Sequence, residues 1–428
     1  LRSYNSERKI VDILLVTIND IENLYDKKLF KQAHSLLLKT KSLAYQYEQF
    51  LIILKLIKID KQMLRKSNLQ EDIFLLKIIN EEKIVLENLN IEKKYNDFVD
   101  VLFIKLNNRK PNTDKAEITR IKTIGTDLFK NKDYLKTFNS KTYFYWASTI
   151  YYVLIGNAFK GVVSMSKNIL TIEENPLQLK ERVDYYFNGL YNYFYIAYSV
   201  KDFETCNIAV QKFEIVRKTF IAENQAFYPQ FLNLQLIMFI EGSVNENLIS
   251  LCDKLIKFLN ETNLLIPKYQ LLELYFNISI SYFYCAKYSK ALTYLNKIIN
   301  TDLSFENIRP DIKITAHTIK IILNYELGNN NLCLSTLNSL SYLLKKYNYS
   351  SDFLNSFKVY YKTIIELDNT NSIRKTNLEF LKSIKSIKQI DTTDKQLALF
   401  DYESWIESKT TTNTFQEIRK VKSKWKIN

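Results

Sequence analysis

Two histidines, His34 and His317, and four cysteines, Cys206, Cys252, Cys285 and Cys333, are all the imidazoles and thiols in this chain of 428 residues. A histidine-driven nucleophile needs its imidazole within hydrogen-bond reach of a Ser or Cys. Each lone His reads instead as a helix-surface or interface residue. No two cysteines form a CxxC pair, so neither a zinc site nor a redox pair is expected. There is no GxxxxGK[ST] phosphate loop, no GxGxxG after a strand and no HExxH. Acidic doublets such as Glu81 with Glu82 and Glu173 with Glu174 occupy adjacent positions, which diverge on a helix and make poor acid/base partners. The expectation is a protein that is not an enzyme and carries no cofactor and no metal.

The chemistry that remains is recognition. Asn188, Asn192, Asn233 and Asn277 offer uncharged amides with donors and an acceptor, which suit the backbone of an extended peptide, and Tyr195 and Tyr284 add aromatic surface beside them. The same asparagines could instead bond across neighbouring helices. A second candidate is the tail 419–426, where Arg419, Lys420, Lys422, Lys424 and Lys426 with Trp425 suit phosphate contacts plus stacking. That tail is expected to be dispensable for folding. The formal net charge of +14 supports an anionic partner, although the lysines are dispersed along outward faces rather than clustered.

These residues are positioned by a recurring unit. Residues 272–300 read as a helix, a tight turn at Ala286 and Lys287, and a second helix. Tyr275, Ile278, Ser279 and Tyr282 share one face of the first, and Tyr288, Ala291, Leu295 and Ile298 one face of the second. The small residue at Ala291 lets the helices approach closely. The pattern matches the tetratricopeptide type of helix pair, with a longer period of about 43 residues. Stepping by that period predicts turns near Lys27, Ser67, Pro111, Gly156, Lys201, Gly242, Ala286, Gly328, Asn369 and Thr411. Cys206 and Cys333 fall in the small-residue slot of Ala291. Asn192, Asn233 and Asn277 each lie nine residues before a turn. Among the less regular segments, 69–89 and 91–107 read as separate helices, and 133–141 as an irregular connection.

The fold class expected is all-α, an α-solenoid of stacked antiparallel hairpins. Six glycines, five prolines and no Gly/Pro-rich linker agree with a continuous helical array. Three parts are distinguished: less regular helical repeats at 1–138, a tetratricopeptide-like core at 139–390, and a capping helix with a basic tail at 391–428. Leu397, Phe400, Trp405 and Ile406 are expected to cover the last open hydrophobic face, as an end cap must. The uncharged stretch 142–159 is long enough to raise a membrane span, but its Tyr, Ser and Asn content fits a buried inner helix, so no span is expected.

The central repeats, the ELGNN turn at 326–330 and the closing FDYESWIESK at 400–409 resemble a tetratricopeptide-like family of Bacteroidetes bacteria. The resemblance covers most of the chain, and the basic tail extends past it. It implies a helical-repeat protein of unknown role with no catalytic residues to carry over. It also implies that the phase of the asparagines looks into a concave groove. Members carry an upstream Lys- and aromatic-rich segment, which fits a chain that starts at Leu1. With a reducing cytoplasm as the compartment the cysteines suggest, the expected function is a scaffold that binds a peptide or protein segment in that groove. The alternative is a binder of nucleic acid or an anionic surface.

Overall fold

The computed structural model describes residues 10–66, 72–107, 115–130, 135–220, 225–243, 246–301, 310–390 and 394–423. Among them every regular element is a helix. The chain divides into two compact units, Leu1–Asn224 and Gln225–Asn428.

The first unit is built from α1 (Ile10–Asp26), α2 (Phe30–Gln46), α3 (Phe50–Lys66), α4 (Asp72–Asn107), α5 (Lys115–Lys130), α6 (Phe138–Leu154), α7 (Ala158–Glu173), α8 (Pro176–Glu181), α9 (Val183–Ser199) and α10 (Phe203–Arg217). Its antiparallel hairpins are α1–α2, α3–α4, α6–α7 and α9–α10, and the second helix of each pair packs on the first helix of the next. The second unit holds α11 (Tyr228–Glu241), α12 (Leu248–Glu261), α13 (Lys268–Tyr284), α14 (Tyr288–Asn300), α15 (Pro310–Glu326), α16 (Asn330–Lys346), α17 (Asp352–Ile364) and α18 (Thr370–Ile390), paired in the same order. Three short helices follow: α19 (Lys395–Leu399), α20 (Tyr402–Ser408) and α21 (Phe415–Lys422).

One turn motif makes most of these hairpins. In a Schellman ending, the residue after the helix cap turns left-handed, and two N–H groups reach back to otherwise orphaned carbonyls. Gly156 does so with φ +82°: its N–H bonds Val153 O at 3.2 Å, and the Asn157 N–H bonds Tyr152 O at 2.8 Å. Lys28, Lys201, Ala286 and Gly328 repeat the pattern. At the turn expected at Gly242 the left-handed residue is Ser243, at φ 56°, while Gly242 keeps φ −69°. Glu48 and Asn348 form the same ending between hairpins, where the 43-residue ladder has no rung. Asn371 and Ser372 lie in the first turn of α18, whose start is held by the Asn369 side chain. The turns expected at Ser67 and Pro111 lie outside the described residues.

The small-residue slot is occupied as the spacing requires. Ala33, Cys206, Ala291 and Cys333 are fully buried. The Cys206 thiol points at Phe194 O and that of Cys333 at Ile321 O, each twelve residues back on the partner helix. Burial pushes these thiols up to about 12 and about 11. Residues 69–89 and 91–107 belong largely to one helix, α4, because no Gly or Pro breaks it and Val85, Tyr95, Phe98 and Leu102 keep a buried face throughout. Its 36 residues span about 54 Å, so one helix serves both α3 and α6. Residues 138–141, expected to be irregular, open α6 behind a Thr137–Ser140 capping box. No helix of the described residues is long and apolar enough to cross a membrane. The uncharged stretch covers most of α6 and the start of α7, and α6 packs against both α4 and α7.

Candidate peptide-binding face

The first helices of the hairpins carry the face of interest, and in the second unit the chain's own residues 394–423 lie on it. Residues 394–423 cover α18 through α20, where Lys388 pairs with Glu403 at 2.7 Å and the Asn377 amide donates to Lys409 O at 3.4 Å, and they also run along α15, α13 and α11. The contacts with α15 run the length of that helix. The Thr315 hydroxyl donates to Gln396 Oε1 at 2.6 Å, and the Gln396 amide donates to Asp311 O at 3.4 Å. The Tyr402 hydroxyl meets that of Thr318 at 2.6 Å. Trp405 Nε1 donates to Glu326 at 2.8 Å, and the Lys409 ammonium holds the same carboxylate at 2.7 Å. Thr315, Thr318 and Glu326 contribute side chains to this contact, and Asp311 its main-chain carbonyl. Thr315 and Thr318, three positions apart, are readable in the sequence as polar residues on one face of this helix.

Aromatic packing supplies the remaining hold. Tyr402 sits 4.5 Å from Phe353, and Trp405 stacks on Tyr361 at 6.3 Å, both on α17. Phe400, Tyr402, Trp405 and Ile406 are each at most 2% exposed, while Leu397 is half-buried against the same core.

Tyr284, placed in the groove by sequence reasoning, is covered by this segment. Its ring lies 3.6 Å below the Arg419 guanidinium and 5.3 Å from Phe415, and its hydroxyl accepts the Asp401 N–H at 3.4 Å. Burial pushes its phenol up to about 12, opposed by the Arg419 charge. Arg419 itself is buried, bonds Ile240 O on α11 and pairs with Asp401 at 3.7 Å. Lys422 pairs with Glu407 and Glu403, and Lys420 is exposed. Lys424, Trp425 and Lys426 lie outside the described residues. The tail is therefore part of the packing at Arg419, and a dispensable segment can begin only beyond it.

The four asparagines fall into two pairs, one in each unit. Asn277 donates to Asn233 Oδ1 at 2.7 Å, joining α13 to α11; this is the inter-helix bond that the sequence offered as the other possibility. Asn188 donates to Asp184 O and Asn192 to Asn188 O, at 3.0 and 2.8 Å, a ladder along α9. Tyr195, one turn further, is 56% exposed. His317 is buried with Nδ1 at 2.8 Å from Lys313 O, and burial lowers its pKa. His34 Nε2 lies 3.6 Å from Asp60. Among the described residues no three of His, Cys, Asp or Glu are grouped to hold a metal ion. No family model, no curated protein and no solved structure matches the chain.

Proposed function

We propose that this chain is a tetratricopeptide-like scaffold, without a catalytic role, that holds a peptide or protein segment against the first helices of its hairpins. The observation that carries this reading is the seating of residues 394–423. A polypeptide already lies across α15 and α13, held by hydrogen bonds from Thr315, Thr318 and Glu326 and by buried aromatic anchors. Paired anchors of this kind dominate peptide recognition on helical surfaces. In the second unit that face is taken by the chain itself. In the first unit the α9 edge with Asn188, Asn192 and Tyr195 is exposed or half-exposed and is the place for an outside segment. For the anionic-partner alternative, Arg419 is buried and Lys422 ion-paired, which leaves Lys420 among the described tail cations.

A peptide library displayed against the full-length chain tests the proposal. Enriched peptides should lose at least about tenfold in affinity to a Tyr195→Ala, Asn192→Ala double variant, the scale of one anchor residue. The melting temperature should stay almost unchanged, since both side chains stand outside the core. No enrichment, or equal binding to the double variant, rejects the α9 face.

A further inference from the structure

The first unit has a joint that no repeat pattern explains. Glu48, in the turn between α2 and α3, directs its carboxylate at the start of α6 and accepts the N–H groups of Phe138 and Asn139 at 2.7 and 2.9 Å. The Asn139 side chain donates to Glu48 O at 3.4 Å and accepts from Arg182 at 2.7 Å. Arg182 lies between α8 and α9, with its guanidinium 5.6 Å above the Phe138 ring. Four parts of the unit thus meet here, and the fourth is α4, through Glu92.

Glu92 is the unusual member. Its Oε1 is shut off from solvent and has no hydrogen-bond partner. The charged groups that face it are Glu48 from the α2–α3 turn and Arg182 from the α8–α9 junction, and at the start of α6 the Asn139 and Thr137 side chains hydrogen-bond its carboxyl group and favour the charged form. An ionised carboxylate with an unpartnered buried oxygen is costly, and a second carboxylate beside it adds repulsion. The Arg182 charge opposes that cost in part, while its guanidinium also donates to Asn139 Oδ1 at 2.7 Å.

We infer that Glu92 is a proton-controlled latch on the α6 N-terminus: protonated, it leaves Glu48 free to hold the Phe138 and Asn139 amides, and ionised, it repels Glu48 and loosens that hold. The step is the binding of one proton from water to one carboxylate oxygen. Burial raises the Glu92 carboxyl to about 7, Glu48 adds to the rise, and Asn139, Arg182 and Thr137 oppose it. A raised folded-state pKa means that the folded protein binds the proton more tightly. The stabilisation is therefore full below the ordinary carboxyl range and is lost as pH climbs from there through about 7.

Hydrogen exchange on the full chain, followed at the peptide that opens α6, tests this. After correction for intrinsic exchange, protection should fall about 3- to 10-fold from pH 6 to pH 8, a local opening effect. In Glu92→Gln it should not change with pH. A flat wild-type profile, or a Glu92→Gln profile that follows wild type, overturns the inference. If Glu92→Gln does not fold, ¹³C-carboxyl NMR of the wild type decides. A glutamate titrating near neutrality with the midpoint of the exchange change supports the latch, and mismatched midpoints overturn it.

Discussion

Lys41 carries the largest single consequence at the scale of one side chain. It reaches from α2 to Asp60 on α3 at 2.8 Å and to Glu81 on α4 at 3.1 Å, and Lys41 and Asp60 are both under 9% exposed. The Tyr45 hydroxyl donates to the same Glu81 at 2.6 Å. Removing the cation leaves the Asp60 carboxylate buried without its ammonium partner, beside the part-exposed Glu81. Lys41→Met should therefore destabilise the first unit by about 3–5 kcal/mol, and Lys41→Met with Asp60→Leu should recover much of that loss. Urea denaturation of both variants checks it, and a loss under about 1 kcal/mol for the single variant would place the cluster in solvent. None of this was legible beforehand, because Lys41, Asp60 and Glu81 look like ordinary surface charges in a Lys-rich chain. The asparagines were legible as residue types out of place in apolar helices. Their phase on the helix could not tell that Asn277 would turn to Asn233 while Asn192 stayed on its own helix.

Among elements, the hairpin turns set a direct comparison. Gly156 and Gly328 are left-handed, and a Cβ on either would meet nothing within 4 Å. Gly156→Ala and Gly328→Ala should each cost about 1–2 kcal/mol, all of it backbone strain. Lys201 and Ala286 already bear that strain at φ 63° and 55°. Lys201→Gly and Ala286→Gly should therefore be neutral to stabilising by about 1 kcal/mol, once glycine's unfolded-state freedom is counted. Thermal unfolding of the four variants reads both signs, and a loss in both sets would mean that side-chain contacts, not φ, govern these turns. The strain also explains what the sequence hid. At about 1 kcal/mol, a non-glycine residue can end a helix this way. Lys28, Glu48 and Asn348 therefore carry no glycine flag, and only periodicity revealed the first of them. The helices themselves were legible, because their 3.6-residue patterns and the small residue at Ala291 follow from local packing alone. Joining two predicted segments into α4 needed knowledge that both halves find partners.

For the molecule as a whole, the C-terminal segment matters most. The cap residues were identifiable from their aromatic content, but contacts such as Trp405 with Glu326 and Arg419 with Ile240 join positions 79 and 179 residues apart, and no periodic pattern reports pairings of that range. Burying Phe400, Tyr402, Trp405, Ile406, Phe415 and Ile418 contributes about 10–15 kcal/mol at the usual value per side chain, comparable with the whole stability of a typical domain. Ending the chain at residue 393 should therefore leave α13, α15 and α17 protease-sensitive and binding a hydrophobic dye. Limited proteolysis against the intact chain tests this. Survival of a resistant fragment covering those three helices would make the segment an accessory.

The same segment sets a timetable for biosynthesis. Tyr284 and the Asp401 N–H that covers it are 117 residues apart, so at about 5–20 residues per second the phenol waits on the order of ten seconds for its lid. During that interval the surfaces of α13 and α15 that residues 394–423 cover in the folded chain lack that cover. The nascent second unit is thus a natural client for a holding chaperone, and slowing translation between residues 284 and 401 should lower the yield of soluble chain.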